Sequence, residues 1–385
     1  MNQVKYNKNS TNVSQGQATT IQQVEAVVKR ELPDCWLPLE ACLSTIGAAM
    51  LKDVNHCIGL ILVGSPGGRK GTTLELLGDD DPLLLEHKFT PASFVSHSAT
   101  STEEELQKID LLPQIKHKIL LTPELAPMFG QRYQDLINDI SILTTVMDGK
   151  GYYSHSGVHG RRGYSGDYCF NMIAATTPLQ HRDWQALGKL SSRWIFYDIG
   201  EETEQVDIRQ DFGAKMAQCK SIVQAFIKGF WQGYATVDWD RSKESKLYAE
   251  VLPANAKAIC LWRGLVQRQE AHGYNLPIVE VSSRLTETLF ALARGRALLW
   301  GRRQISGYDE RFIANLNMTN LPKDRLKIYH ALYPYDELTD TPCGITLTEA
   351  MKALKCSDTK AKSVLGELQD LGVIRYHNKR YYRRM

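Results

Sequence analysis

The sequence predicts an α/β protein: a parallel sheet sandwiched by helices, followed by a helical lid and a C-terminal winged helix. Three observations carry that expectation. Short apolar runs alternate with helical stretches from about residue 35 to 200: CIGLILVG, FTPASFV, KILLTPEL, CFNMIAATT and RWIFYDI. Such continuous runs suit strands buried on both faces, as in a parallel sheet covered by helices. A glycine-rich turn joins the first run to a helix. From about residue 201 the strand-like runs stop and amphipathic helices take over, as in AKMAQCKSIVQAFIKGFW and SRLTETLFALARGRALLW. In the second of these, Leu285, Leu289, Leu292, Ala293 and Leu299 approximate one helical face.

These shifts divide the chain into a flexible N-terminal arm (1–30), an α/β core (31–200), a helical lid (201–335) and a compact tail (341–385). The arm rests on its first 20 residues, which are rich in Asn, Gln, Ser and Thr and show no periodicity. The 385 residues carry 46 Lys+Arg against 43 Asp+Glu, a net +3 that excludes a charged disordered tail protein. That balance is uneven. Residues 341–385 hold nine basic and four acidic residues, and the last segment, VIRYHNKRYYRRM, holds five basic residues and no acid. No apolar run spans a bilayer and no signal-peptide pattern opens the chain, so no membrane is expected. The eight cysteines include no Cys-x-x-Cys pair and read as reduced thiols of a cytoplasmic protein.

In the first run, Ile58 to Val63 form an apolar strand leading into Gly64-Ser65-Pro66-Gly67-Gly68-Arg69-Lys70-Gly71-Thr72-Thr73 and then a helix. Glycines turn backbone N–H groups inward around a phosphate, and the helix N-terminus adds its dipole. Lys70 supplies a point charge at the Walker A spacing from Gly64. Arg69 replaces the usual last glycine, and Gly71 stands where a magnesium-binding Ser or Thr is expected. Thr72 takes that role if the helix starts one residue late.

KHKILLTPEL, the next strand, ends in Glu124, an acid placed to orient and deprotonate water beside a phosphate loop. The alternative is an acid that compensates the following helix dipole. Pro123 replaces the usual preceding Asp. FNMIAATTPL then ends in Thr176-Thr177-Pro178, and LGKLSSRWIFYDI places Arg193 just before the last strand.

In this order the segments resemble the AAA+ ATPase superfamily, and within it the minichromosome-maintenance-like branch, over roughly residues 35 to 315. GSPGGRK is similar to that branch's G-x-P-G-x-A-K loop. LGKLSSRWIFYDI resembles its arginine-finger segment, SSRLTETLFALARGRAL its lid helix, and MDGKGYYSHSGVHGRRGYSGDYC its hairpin before sensor 1. The resemblance implies ATP and Mg²⁺ as cofactors, with the Gly64–Thr72 loop around the phosphates and Lys70 on them. It also implies Glu124 as the activator of water, Thr177 in the sensor-1 position, Arg193 as a finger reaching a neighbour's ATP, and Arg284 as the sensor-2 contact. The activity implied is an ATP-dependent DNA helicase or translocase, a homo-oligomeric and generally hexameric ring, in replication of a mobile element, virus or prokaryotic chromosome. Gly71 and Pro123 favour a second reading, an ATP-binding regulator or scaffold in transposition or defence that assembles on DNA without unwinding it.

Two segments carry the DNA expectation. The hairpin near 151–168 places Arg161 and Arg162 at a glycine-rich tip between tyrosine shoulders, suited to phosphates and base stacking in a pore; the alternative is a surface hairpin packed on the lid. In the tail, Thr346 to Glu349 is a capping box, Asp358 can cap a second helix, and a short hairpin closes the chain. Lys360 and Lys362 then lie on the outer face of the second helix, with Arg375, Lys379 and Arg380 on a basic wing facing duplex DNA; the alternative is a protein-binding winged helix.

Overall fold

A computed structural model describes residues 18–384 apart from 99, 159, 190–192, 201–210, 270–273, 333–334, 337–340 and 343. Residues 1–17 of the expected arm, and His159 of the expected hairpin tip, lie outside the described residues. The remainder of the arm is corrected. Residues 21–31 form helix α1 (Ile21–Glu31), opened by a Thr20/Gln23 capping box and burying Ile21, Val24 and Val28. That spacing puts three apolar side chains on one stripe, which anchors the helix to the core.

Helix α2 (Trp36–Ala49) is almost entirely buried and leads to β1 (Gly59–Val63) and α3 (Lys70–Leu77). Next come β2 (Leu83–Leu85), α4 (Glu103–Ile109), α5 (Leu111–Ile115), β3 (Ile119–Thr122), α6 (Ala126–Phe129) and α7 (Tyr133–Val146). The strand expected in FTPASFV is corrected: Thr90 and Ser93 cap a short 3₁₀ turn at Pro91–Ser93, and the edge strand lies earlier, at Leu83–Leu85. An antiparallel hairpin, β4 (Gly151–Ser156) and β5 (Gly160–Ser165), precedes β6 (Asn171–Thr176), α8 (His181–Lys189) and β7 (Trp194–Asp198).

Five strands make one parallel sheet in the order β2-β3-β6-β1-β7. Alternation along each strand sends side chains into two separate cores. Leu60, Leu62, Ile173 and Ile195 join one, with α1, α2 and α3; Ile61, Val63, Met172 and Phe196 join the other, with α5 and α7. Helices therefore cover both faces, as the apolar runs required.

Beyond β7 follow α9 (Phe212–Phe230), α10 (Lys246–Arg263), β8 (Leu265–Gln269), β9 (Tyr274–Ile278), α11 (Ser282–Leu299), α12 (Gly307–Thr319) and α13 (Lys323–Ala331). The β8–β9 hairpin corrects the expectation that strands stop near residue 200. LVQRQ and YNLPI carry polar residues among the apolar ones, so no continuous apolar run announced them. These helices share the first core with the sheet. Helix α11 crosses α2 so closely that a Cβ on Gly47 would sit 2.6 Å from the Gly295 carbonyl oxygen, and one on Gly295 would sit 2.1 Å from that of Ser44. Only a pair of glycines permits that approach.

A two-residue pair of strands, β10 (Tyr335–Asp336) and β11 (Thr341–Pro342), leads to α14 (Leu347–Leu354), α15 (Asp358–Asp370), β12 (Ile374–His377) and β13 (Arg380–Arg383). Thr346 and Glu349 form the expected capping box; Ser357, not Asp358, caps α15. Ala361, Val364, Leu365 and Leu368 point inward, and Asn378 and Lys379 take the left-handed turn between β12 and β13. No disulfide forms among the described cysteines, and no described helix is long and apolar enough to cross a membrane.

Candidate functional site

A parallel sheet gathers the loops that follow its strands on one edge. The loop after β1, Glu124 after β3 and Thr177 after β6 therefore meet at the C-terminal edge, with β6 between the other two. Gly64 donates its N–H to Thr176 O (3.2 Å), and Leu125 donates to Ala175 O (2.7 Å), which ties both loops to β6.

The loop itself is tightly wound. Gly67 has φ +80° and Arg69 φ +62°, and Gly68 N–H reaches Ser65 O at 3.0 Å. A Cβ on Gly64 would sit 2.6 Å from the Ile199 side chain, so glycine is required there. Lys70 opens α3 and is only 8% exposed; its Nζ lies 3.4 Å from Ser65 O, and no described carboxylate pairs with it. An ammonium folded under its own loop without a carboxylate is a cation awaiting an anion. Arg69 departs over the Phe212 ring, 5.0 Å from its centroid, rather than turning into the loop.

The expectation for Thr72 loses its premise. Helix α3 begins at Lys70, not one residue later, so Gly71 does occupy the hydroxyl position. Thr73 is committed to Arg69 O (3.0 Å), which leaves Thr72, half-buried, as the other hydroxyl of the first turn. The space beside Gly71 is open: a Cβ added there would meet nothing within 4 Å.

Glu124 is exposed at the strand edge, and its Oε1 accepts from Ala126 N–H at 2.9 Å. That bond ties the carboxylate to the first N–H of the short α6, whose N-cap residue is Leu125. Two hydroxyls that sequence reasoning passed over lie nearby: Thr122 at the end of β3 and Thr176 at the end of β6. Both are buried, and neither Oγ1 has a hydrogen-bond partner. Thr176, rather than Thr177, thus carries the unsatisfied hydroxyl at that strand end. Among the described residues no three His, Cys, Asp or Glu side chains cluster as a metal site. The local donors, Thr72, Thr122, Thr176 and Glu124, are all oxygens. That set fits magnesium, a hard cation held largely by substrate phosphates with few protein ligands.

Arg193 and Arg284 are elsewhere. Gly59 pairs with Trp194 and Val63 with Asp198, so Arg193 lies at the N-terminal edge of the sheet, about 20 Å from the phosphate loop at one strand rise per residue. There Arg193 Nη2 donates to Asp148 Oδ1 at 2.7 Å, and Arg284 Nη2 donates to the same oxygen at 2.9 Å. The resemblance implied Arg284 on the bound nucleotide; the fold sets it beside Arg193, because α11 crosses the N-terminal side of the sheet. Asp148 joins them, although no motif in the sequence singles it out. Burial works to raise its carboxyl pKa, but the hydrogen bonds from Arg193 and Arg284 outweigh it and hold the group below its ordinary range.

The hairpin arginines separate by strand parity. Both lie within β5 rather than at the tip. Arg161 pairs across to His155 on the solvent face, with its guanidinium 4.1 Å from the Tyr153 ring centroid. Arg162 faces inward and is corrected as a DNA contact. Its Nη1 donates to Asp110 Oδ2 and to Ser96 O, both at 2.6 Å, and its Nη2 donates to Tyr164 OH at 2.9 Å. The Asp110 side chain is fully buried and held below its usual pKa: burial opposes this, while Ser96, Tyr164 and Arg162 together prevail.

On the tail, Lys360 bonds Asp324 of α13 (2.9 Å) and Glu367 bonds Arg325 (3.1 Å), which turns that side of α15 toward the body. Lys362 pairs with Asp358 along its own helix. Arg375, Lys379 and Arg380 are exposed on the β12–β13 hairpin beside Tyr376.

No protein-family model matches this chain, and no curated protein shows significant similarity to it.

Proposed function

We propose that the protein is an ATP-dependent DNA helicase or translocase of the AAA+, minichromosome-maintenance-like type, working as a ring of identical subunits. One observation supports this reading: two clusters of cationic side chains lie at opposite edges of one sheet. The phosphate loop with Lys70 and Glu124 lies at one edge, and the pair Arg193–Arg284 lies at the other. About 20 Å along the strands separates them, too far for either arginine to reach its own loop. A second copy docked edge to edge completes both.

In such a joint the loop N–H groups and Lys70 hold the phosphates of ATP. Glu124, aimed by its bond to Ala126, takes a proton from the attacking water. Arg193 and Arg284 of the next subunit meet the charge that develops on the transferred phosphoryl group. Thr72, the remaining free hydroxyl of the first turn of α3, would be the nearest candidate to hold a magnesium ion bound with ATP, which would supply further charge neutralisation. Arg161 over Tyr153 offers phosphate contact and a stacking surface on the hairpin, and the basic tail hairpin offers a winged-helix-type duplex contact.

The test is DNA-stimulated ATP hydrolysis by wild type, Glu124→Gln and Arg193→Ala, run beside strand displacement on a fork. Both variants should lose turnover, and wild type should displace the strand. Equal turnover in all three would overturn the site. Gly71 and Pro123 support a second reading, an ATP-binding regulator that assembles on DNA without unwinding. ATP-dependent DNA binding with no displacement would select it.

A further inference from the structure

We infer that Asp148 is a positioning residue for hydrolysis, holding Arg193 and Arg284 together as one cationic fork for the terminal phosphate of a nucleotide bound by a second copy of the chain. This rests on the reading of Arg193 as a group that acts on a neighbour's ATP. A single oxygen, Asp148 Oδ1, accepts from Arg193 Nη2 and Nε (2.7 and 3.3 Å) and from Arg284 Nη2 (2.9 Å). Without that shared anion the two guanidinium groups would repel and swing apart. Asp148 itself is anchored: it follows α7, its N–H reaches Thr145 O at 3.1 Å, and Met147 O accepts from Cys57 N–H before β1.

A cleft of about 320 Å³ opens at this point, lined by His56, Asp148, Lys150, Ser283, Arg284 and Glu287 among others. Glu287 is engaged by Arg241 at 3.1 Å, and Lys150 stands with Arg284 on the lining. One donor there remains unused: Arg284 Nη1 is buried and has no hydrogen-bond partner. The Arg284 side chain as a whole is 36% accessible, and a guanidinium's planar donors match phosphate oxygens in geometry.

The experiment uses the full-length chain with DNA and ATP, measuring kcat, KM and binding of a non-hydrolysable ATP analogue separately. Asp148→Asn and Asp148→Ala should lower kcat about 10- to 100-fold, with KM and analogue binding within about twofold of wild type. Asp148→Glu, which keeps the charge, should recover part of the loss. Asn keeps the size and one acceptor oxygen, so it guards against an Ala variant that misfolds. Mixing then separates this inference from the reading beneath it. Asp148→Asn subunits have an intact loop and Lys70→Ala subunits an intact arginine pair, so the mixture should regain turnover that neither has alone. Arg193→Ala mixed with Lys70→Ala should do the same. If only the Arg193 mixture recovers, or if Asp148→Asn equals or exceeds wild type, Asp148 is not a positioning residue. If Asp148→Asn loses its own analogue binding, the inference also fails. If neither mixture recovers, the trans reading falls and takes this inference with it.

Discussion

The two edges of the sheet are built from the same strands yet solve opposite electrostatic problems. At the C-terminal edge a lone ammonium, Lys70, is folded beneath a glycine loop with only a carbonyl for company. At the N-terminal edge two guanidinium groups converge on one carboxylate, Asp148. The first is a cation that pairs with no carboxylate among the described residues. The second is a pair of cations kept together by a small anion while the Arg284 side chain stays partly exposed. On the proposed reading, docking a second copy of the chain brings both together for hydrolysis.

Substitutions at the two edges should therefore fail differently. Lys70→Ala should give the largest effect, abolishing both analogue binding and turnover, because the loop then offers only backbone N–H donors, with Arg69 turned to the Phe212 ring. Arg193→Ala should reduce turnover about 10³-fold, the scale of a removed arginine finger, while analogue binding by its own loop persists. Equal loss of binding in both variants, read by filter retention, would erase the distinction between the edges.

A second contrast lies within the hairpin, where neighbouring arginines have opposite fates. Arg162→Ala strands the buried Asp110 carboxylate and should cost about 3–5 kcal/mol in chemical unfolding. Arg161→Ala leaves stability within about 0.5 kcal/mol and should weaken single-stranded DNA binding, lowering its salt slope by about one. Reversed outcomes in the two assays would mean that the strand parity is misassigned. The smallest effect is expected at Gly71→Ser, which fills open space and restores a hydroxyl beside Lys70. A severalfold rise in magnesium-dependent turnover supports an active-site origin of the departure; unchanged turnover would leave the loop's substitution without catalytic consequence.

Much of the fold was legible in local sequence. The runs around Ile61, Leu120 and Ile173 are apolar throughout because their strands are buried on both faces. Thr346 and Glu349 announced α14 through a cap that needs only four residues. The elements that escaped were those whose pattern is weak or shared: α1, hidden beside a polar stretch; the β8–β9 hairpin, with polar residues among its apolar ones; and FTPASFV, in which Pro91 starts a turn. The glycine-rich loop at the C-terminal edge was legible because its residues are contiguous in the chain. Thr176 and Thr177 could not be told apart, because a strand end alone does not say which hydroxyl is buried.

By itself the sequence determined a phosphate-type loop, a buried parallel sheet and a basic tail, since each depends on residues close together along the chain. Tertiary structure alone decided that Arg193 and Arg284 meet on Asp148, 45 and 136 residues away, and that Arg162 is spent on Asp110 while Arg161 is not. Spacing cannot reveal such choices. Which carboxylate neutralises which arginine depends on the register of β5 and on the crossing of α11 over α2 at Gly47 and Gly295, and charge follows that packing.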